Sequence, residues 1–184
     1  MNPQVHRTVL AAAVFALPVC AQQFGVAENL APDIPTPQPI VEQMLEAAHV
    51  KPGELVYDLG SGDGRVVITA AQKFGAKAVG IEIRPDLCRI ATDRVKAAGL
   101  EERVKIVQGS ALRVDLSPAD VVTMFLLTTS NERVKPALEK YLKPGTRVVS
   151  NQFPIKGWKP LETVRAKAGS MSYSIYVYEI GRTE

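Results

Sequence analysis

The stretch Val56–Arg65, Val-Tyr-Asp-Leu-Gly-Ser-Gly-Asp-Gly-Arg, constrains the fold more than any other part of the chain. Residues 55–59 form a short apolar run that suits a buried parallel strand, and Asp58 interrupts this run near its carboxyl end. Glycines then alternate through a turn: Gly60, Gly62 and Gly64. Glycine permits positive φ and lets the backbone approach a ligand closely. The pattern predicts a strand, a tight turn and a helix from residue 66, and ligands of open α/β sheets bind at such a turn.

The residues that this turn lacks narrow the choice of ligand. A dinucleotide fingerprint, Gly-x-Gly-x-x-Gly, is not matched, because position 65 is Arg and the third glycine comes one residue early. A P-loop is excluded, since no Gly-Lys-Ser/Thr follows. Asp58 and Asp63 flank the turn, and their charges would repel a pyrophosphate at the helix N-terminus. These charges favour a cationic ligand, and S-adenosylmethionine, a sulfonium nucleoside with an α-ammonium group, has the required charge.

A further carboxylate makes this prediction more specific. Residues 77–83 are predicted to form the second strand, and Glu82 lies near its end, beside Ile83. The spacing from the turn is close to the roughly 20 residues expected for a carboxylate that binds a ribose diol. The alternative is that the carboxylates only end the strands of a Rossmann-like domain without a ligand. The predicted cofactor contacts on these two strands are Asp58, Gly60, Ser61, Gly62, Gly64, Glu82 and Ile83.

Helix and strand patterns alternate along the middle of the chain. The predicted strands are 54–59, 77–83, 103–108, 120–127 and 146–151, and the predicted helices are 64–74, 86–98 and 131–142. Such alternation indicates a parallel sheet with helices on both faces. Residues 161–166 and 172–180 have no room for a crossover helix between them, so they must pair antiparallel. The prediction is an α/β fold with a mostly parallel sheet that ends in an antiparallel β-hairpin. This architecture resembles that of class I methyltransferases, and residues 58–64 resemble their glycine motif Asp-x-Gly-x-Gly-x-Gly. The resemblance implies a Rossmann-like class I methyltransferase fold.

The chain divides into three parts. Residues 1–21 are a predicted signal peptide, residues 22–38 are a proline-rich extended arm, and residues 39–184 are the methyltransferase domain. With 184 residues, of which 46% are hydrophobic, there is room for one globular domain. The net charge of +3 is mild and the basic residues are scattered, so composition gives no positive case for nucleic-acid binding and does not exclude it.

The first 21 residues have the pattern of a secretory signal. His6 and Arg7 precede an uncharged run, and Val19-Cys20-Ala21 offers a small-residue cleavage site before Gln22. The run is shorter than the about 20 apolar residues that span a bilayer, and we expect no transmembrane span after it. An exported or periplasmic protein is expected, and a membrane-tethered or cytoplasmic protein is the alternative. Cleavage would leave Cys88 as a lone cysteine, which its helical pattern predicts to pack in the core.

The third strand ends at Ser110 and Ala111, both of which we assign to the cofactor site. Class I methyltransferases usually place an acidic residue here, against the adenine amino group. The Ser110 hydroxyl can still accept a hydrogen bond. The alternative is a plain turn.

The end of the fourth strand should face the transferred methyl group. The sequence from Phe125 to Asn131 contains no Asn-Pro-Pro-Tyr-like segment, no cysteine nucleophile and no histidine base. It also lacks the carboxylate cluster of metal-dependent transferases, so no metal is expected. An apolar surface with hydroxyls and one carboxamide remains, which suits the alignment of a neutral amine.

Several stretches together resemble the FAM173 family of protein-lysine methyltransferases and its bacterial relatives: Pro35-Thr36-Pro37, residues 50–53, 58–65, 125–131 and 142–153. The resemblance covers residues 34–160. It implies a protein substrate with an acceptor lysine, with Thr36 closing over the methionine end of S-adenosylmethionine. It also implies that Asn131 lies at the acceptor as the catalytic residue, and that Phe125 occupies a cofactor-site position where tyrosine is common. A helix N-cap is the alternative role for Asn131.

Three other functions remain open at this point. An exported domain that binds S-adenosylmethionine without turnover is motivated by the signal pattern, because the cofactor is made in the cytoplasm. An RNA methyltransferase would use the same cofactor site. A nicotinamide-dependent oxidoreductase would need the glycine spacing that the turn lacks.

Overall fold

The computed structural model describes residues 30–31 and 34–183. The predicted signal peptide and most of the proline-rich arm lie outside the described residues. The strands are β1 (Leu55–Leu59), β2 (Lys77–Glu82), β3 (Val104–Gln108), β4 (Val121–Met124), β5 (Arg147–Asn151), β6 (Glu162–Ala168) and β7 (Met171–Glu179). The helices are α1 (Gln38–Ala47), α2 (Arg65–Phe74), α3 (Pro85–Ala97) and α4 (Thr128–Tyr141).

The strands form one seven-stranded sheet in the order β3-β2-β1-β4-β5-β7-β6. Strands β1 to β5 are parallel, and β7 is inserted antiparallel between β5 and β6. This arrangement confirms the predicted Rossmann-like fold with its terminal antiparallel hairpin. The chain order reverses between β1 and β4, which is the point at which open α/β sheets bind ligands.

Helices cover both faces of the sheet, as the alternation predicts. The face that packs on α1 and α2 carries alternate residues of the central strands: Val56, Val121 and Val149. The face that packs on α4 carries the residues between them: Tyr57, Val122 and Val148. Side chains alternate along a strand, so Asp58 and Thr123 share the face of α1 and α2. The two polar side chains are therefore buried at the carboxyl end of the strands, beneath these helices.

The segment between β4 and α4 differs from its prediction. β4 ends at Met124 and α4 begins at Thr128, so residues 125–127 form a linker at the carboxyl edge. These three residues are apolar, so the sequence pattern extended the predicted strand over them, but they do not pair with a neighbouring strand. The N-cap residue of α4 is Leu127, whose carbonyl accepts a hydrogen bond from the Asn131 backbone N–H at 2.8 Å. The N-cap alternative for Asn131 is therefore wrong, since this residue lies in the first turns of the helix.

Candidate active site

The glycine turn is held against β2 by its own backbone. The N–H groups of Gly60 and Ser61 both donate to the Ile81 carbonyl, at 2.9 and 3.0 Å. Gly60 has a φ of +77° and a Cβ there would lie 3.1 Å from the Ala31 Cβ, so glycine lets the arm pack on the turn. Gly62 has a φ of +54°, and a Cβ there would meet no atom within 4 Å. The turn is thus closely packed at its start and open at Gly62.

Glu82 joins the glycine turn to the end of β2. Its Oε2 accepts a hydrogen bond from the Gly62 backbone N–H at 2.8 Å, and its Oε1 accepts one from the Arg84 backbone N–H at 2.9 Å. The side chain is buried and lines the cavity described below. Each carboxylate oxygen can accept more than one hydrogen bond, so Glu82 can hold the turn and a ribose hydroxyl together.

Asp58 is buried at the carboxyl end of β1. Its Oδ1 accepts a hydrogen bond from the Thr123 hydroxyl at 2.7 Å. Burial raises the pKa of Asp58 to about 7, and the nearby charges of Glu82 and Asp63 add to the rise, which the Thr123 hydrogen bond opposes. A cationic group in the cavity would favour the ionised carboxylate. The site is therefore matched to a ligand ammonium.

The sequence predicts that the charges of Asp58 and Asp63 both favour a cationic ligand, but in the structure Asp63 is paired with arginines. Arg65 Nη2 and Arg94 Nη1 lie 2.7 and 2.5 Å from its Oδ2. Burial acts to raise the pKa of Asp63, but the hydrogen bonds and charge of Arg65, with the charge of Arg94, outweigh it and hold this pKa below its usual range. Asp63 is thus an anion paired with two arginines, and Asp58 and Glu82 are the other two carboxylates that line the cavity.

A cavity of about 290 Å³ opens beside the glycine turn. It is lined by these predicted cofactor contacts: Thr36, Asp58, Gly60, Ser61, Gly62, Glu82 and Phe125. A neighbouring cavity of about 20 Å³ shares Gly60 and Glu82 with it and adds Ile83 and Ala111. The structure therefore gathers residues from the arm and from the ends of β1, β2, β3 and β4 around one region.

Two predicted cofactor contacts lie outside the lining of both cavities. Gly64 is the N-cap residue of α2, and a Cβ there would lie 3.1 Å from the Ala91 Cβ, so this glycine permits close packing on α3. The Ser110 hydroxyl is buried and accepts a hydrogen bond from the Leu112 backbone N–H at 3.3 Å. Its hydroxyl is used within the turn after β3, as the plain-turn alternative describes.

The cavity also has lining residues that the sequence did not assign: Ala31, Ile34, Pro35, Met44, Asp63, Arg65, Val66, Arg84 and Leu87. Three of these residues belong to the arm: Ala31, Ile34 and Pro35. They lie close to Thr36 in the sequence, so the Pro-Thr-Pro pattern could have predicted that they line the cavity. Met44 and Leu87 lie on helices whose spacing indicated only a core-facing side, so nothing in the sequence distinguished them.

Aromatic and carboxamide side chains meet at the edge beyond β4 and β5. The rings of Phe125 and Phe153 stack with their centroids 6.1 Å apart. Asn131 is fully buried, and its Nδ2 donates to the Phe153 carbonyl at 3.0 Å and to the Ser150 hydroxyl at 3.3 Å. Its Oδ1 has no hydrogen-bond partner among the described residues. Asn131 does not line either cavity, but it is anchored to the segment that carries the partner ring of Phe125.

Comparison with known proteins decides the family. Residues 58–162 match the model of the ANTKMT methyltransferase domain. The chain belongs to the ANTKMT methyltransferase family. This assignment confirms the resemblance to the FAM173 family, and the enzyme is an S-adenosylmethionine-dependent methyltransferase.

Relatives of this ANTKMT-family chain are named after two kinds of acceptor, protein lysine and RNA. It is 51% identical over 151 residues to a protein-lysine N-methyltransferase of Saccharolobus islandicus, covering 82% of this chain and 94% of that protein. It is 32% identical to the mouse adenine nucleotide translocase lysine N-methyltransferase over 76% of this chain, and it spans 59% of that relative. A crystal structure of an RNA methyltransferase from Salinibacter ruber with S-adenosyl-L-homocysteine superposes with a TM-score of 0.76 at 44% identity, covering 80% of this chain and 94% of that one.

The residues of the cavity fit S-adenosylmethionine. The buried Asp58 carboxyl suits its ammonium group, Glu82 has acceptor capacity for the ribose, and the open side of Gly62 leaves room for backbone approach. The buried Ser61 hydroxyl, which lines the same cavity, has no partner within the part of the chain that the structure describes. These unfilled hydrogen-bonding groups are what a polar nucleoside would satisfy.

Two further properties bear on partners. Within residues 30–31 and 34–183, no helix is both long enough and apolar enough to cross a bilayer. Over the same residues, histidine, cysteine and acidic side chains form no group of three or more that could hold a metal ion.

Proposed function

We propose that this ANTKMT-family enzyme methylates the side-chain amine of a lysine in a protein. The observation that carries the proposal is the carboxyl edge around Phe125 and Asn131, an apolar surface with a buried carboxamide oxygen that has no partner among the described residues. The name of the Saccharolobus relative, a protein-lysine N-methyltransferase, supports the same acceptor.

The acceptor nitrogen must be neutral before it can react, because an ammonium group has no lone pair. The pKa of a lysine amine in water is about 10.4, and an adjacent sulfonium charge together with partial desolvation would lower it. The Phe125–Phe153 pair supplies apolar surface at this edge. The described residues around Asn131 include no histidine, so deprotonation by solvent is the route that this edge favours.

Asn131 would then orient the neutral amine. Its Nδ2 is already committed to Phe153 and Ser150, which holds the carboxamide plane in place and leaves Oδ1 to accept one N–H of the substrate. S-adenosylmethionine in this cavity would supply an electrophilic methyl on a sulfonium sulfur, and the N–C bond would form as the C–S bond breaks. The contribution of the protein is alignment of nitrogen, carbon and sulfur.

An RNA acceptor is the second candidate, since the Salinibacter structure at 44% identity is named an RNA methyltransferase. The discriminating experiment offers labelled S-adenosylmethionine to proteins and to RNA from the same cells, in parallel reactions with the purified enzyme. We expect label in protein, recovered as methylated lysine after acid hydrolysis. Label found only in RNA would overturn the proposal in favour of the second candidate.

Asn131→Ala tests the role of the carboxamide. We expect kcat to fall by at least about tenfold with cofactor affinity nearly unchanged, because the lost contact is made to the acceptor. We also expect kcat of the parent, at saturating cofactor, to rise with pH as the bound amine loses its proton. Ser130→Ala is the matched control, a buried hydroxyl on the same helix. If Asn131→Ala turns over at the rate of the parent, Asn131 does not have this role.

A further inference from the structure

Gly80 lies inside β2, where glycine weakens a strand because it adds no side chain to the packing. Its backbone pairs with Asp58 of β1 on one side and with Ile106 of β3 on the other. Its φ is not positive, so the backbone conformation does not require glycine. The reason for glycine therefore lies in what a side chain at this position would contact.

The contact is with the side chain of Ser61 in the glycine turn. A Cβ at position 80 would lie 2.7 Å from Ser61 Oγ and 2.9 Å from Ser61 Cβ. Both distances are too short, since non-bonded carbon atoms pack at about 3.5 to 4.0 Å. A third neighbour, Ile106 Cδ1 at 3.1 Å, is the end of a flexible side chain and can rotate away. Ser61 Cβ is bonded to the backbone and cannot, so a side chain at position 80 would displace the turn itself.

The turn rests on three consecutive residues of β2. The side chain of Ser61 packs over Gly80, and its backbone N–H donates to the Ile81 carbonyl at 3.0 Å. The Gly62 N–H donates to Glu82 Oε2 at 2.8 Å. The two hydrogen bonds draw the turn towards the strand, and the contact of Ser61 with Gly80 limits how close it comes. The absence of a side chain on Gly80 therefore determines the distance between the turn and β2.

That distance shapes the cofactor cavity. Ser61 and Gly62 line the cavity from the turn, and Asp58 and Glu82 line it from the strands. Asp58 is level with Gly80 in the sheet, so its carboxyl lies on the same face and next to the packing contact. A carbon contact of normal length at position 80 would need a shift of roughly 0.6 Å. Such a shift would lengthen the hydrogen bond of Gly62 to Glu82 towards the limit for a hydrogen bond.

We propose that Gly80 is a positioning residue for S-adenosylmethionine, which seats Ser61 so that the glycine turn lies at the distance from β2 that the cofactor requires. Gly80 lines neither cavity, so it acts through Ser61 and not by contact with the ligand. This role is independent of whether the acceptor is a protein lysine or RNA. Its failure would therefore leave the proposed function standing.

Gly80→Ala tests the contact with the smallest side chain. We expect the affinity for S-adenosylmethionine, measured by calorimetric titration, to fall by at least about tenfold, because several hydrogen bonds at the turn are disturbed together. Alanine in place of glycine stabilises a protein where the site has room for it, because the unfolded chain loses conformational freedom. A Gly80→Ala variant with a higher Tm and the affinity of the parent would overturn the role of Gly80.

The double variant Ser61→Gly with Gly80→Ala moves the β-carbon from the turn to the strand and removes both short contacts. Ser61→Gly alone should bind the cofactor more weakly than the parent, because the turn becomes more flexible. Addition of Gly80→Ala to Ser61→Gly should cost less than about twofold in affinity, against at least about tenfold in the parent. Equal losses in the two backgrounds would show that Gly80 does not act through Ser61.

Val177→Ala is the control for a loss of stability alone. Val177 is buried on β7, three strands from β1, and lines neither cavity. This variant should lower the Tm by several degrees and leave the affinity unchanged. A loss of affinity as large as that of Gly80→Ala would assign the effect to stability and overturn the positioning role. If Gly80→Ala does not fold, the double variant decides: recovered folding and binding support the role, and failure to fold overturns it.

Discussion

Two aspartates of the glycine turn, five positions apart, have opposite protonation behaviour. Asp58 is buried with no cationic side chain beside it among the described residues, and its pKa is raised to about 7. Asp63 contacts Arg65 and Arg94, and its pKa lies below the usual range. Between about pH 4 and pH 7, Asp58 keeps its proton in the folded protein but loses it in the unfolded chain. The free energy of unfolding therefore falls as the pH rises towards 7. A ligand cation would offset this cost.

We expect the affinity of the parent for S-adenosylmethionine to rise with pH between about pH 6 and 8 and to level off above. The ionised Asp58 carboxylate attracts the ligand ammonium, and the protonated form does not. Asp58→Asn should bind more weakly and should show no such rise. Calorimetric titration of the folded proteins in matched buffers measures both effects. A rise of equal size in Asp58→Asn would assign the titration to another group.

At the scale of the elements, the arm and the glycine turn form one unit. Arg65 Nη1 donates to the Thr36 carbonyl at 2.8 Å, while its Nε and Nη2 hold Asp63. The arm also packs through Ala31 on the turn at Gly60, and Thr36 lines the cavity. Arg65 is therefore the contact through which the turn at the end of β1 holds the arm beside the cavity.

Arg65→Ala should loosen the arm and weaken cofactor binding by roughly tenfold, since a charge-assisted hydrogen bond between arm and turn is lost. The dissociation rate of S-adenosylmethionine should increase more than the association rate decreases. Stopped-flow measurement with the fluorescence of Trp158 or a labelled cofactor tests both. Arg94→Ala is the control, because Arg94 also contacts Asp63 but makes no hydrogen bond to Thr36. Equal effects in the two variants would show that charge on Asp63 matters and that the arm contact does not.

At the scale of the whole molecule, we propose that the protein is exported. The support is the pattern of residues 1–21, in which two basic or titratable residues precede an uncharged run and a small-residue cleavage site. This proposal requires that S-adenosylmethionine reach the enzyme outside the compartment where it is made, or that methylation precede export.

The mature chain should begin at Gln22, because cleavage is expected after Ala21. Intact mass spectrometry of the protein purified from its own cells, after separation of cytoplasmic and envelope fractions, measures the start directly. The control is the same protein made without residues 1–21, which should stay in the cytoplasmic fraction. A full-length species confined to the cytoplasm would contradict export.

Local sequence was sufficient to predict the fold and to place Asp58 and Glu82 at one edge of the sheet. The alternation of helix and strand patterns predicts the parallel sheet, since hydrophobic periodicity and turn residues act over short distances. The hairpin at the end of the chain follows from the same reasoning, because two strand patterns with a short connection can only pair antiparallel. Asp58 and Glu82 follow from their places at the ends of adjacent strands, which parallel topology brings to one edge.

The tertiary structure decided which charges and amides are free. Asp58 and Asp63 are equivalent in the sequence, but folding brings Arg94, 31 residues along the chain, to Asp63, while no cation in the part of the chain that the structure describes acts on Asp58. Asn131 fits a helix N-cap by residue type, yet the helix begins at Thr128 and the carboxamide reaches the end of β5. Asn151 is one more polar residue at the end of a strand until its burial and its missing partners are seen. Propensity and spacing are local, whereas desolvation and hydrogen-bond pairing depend on which distant segments enclose a side chain.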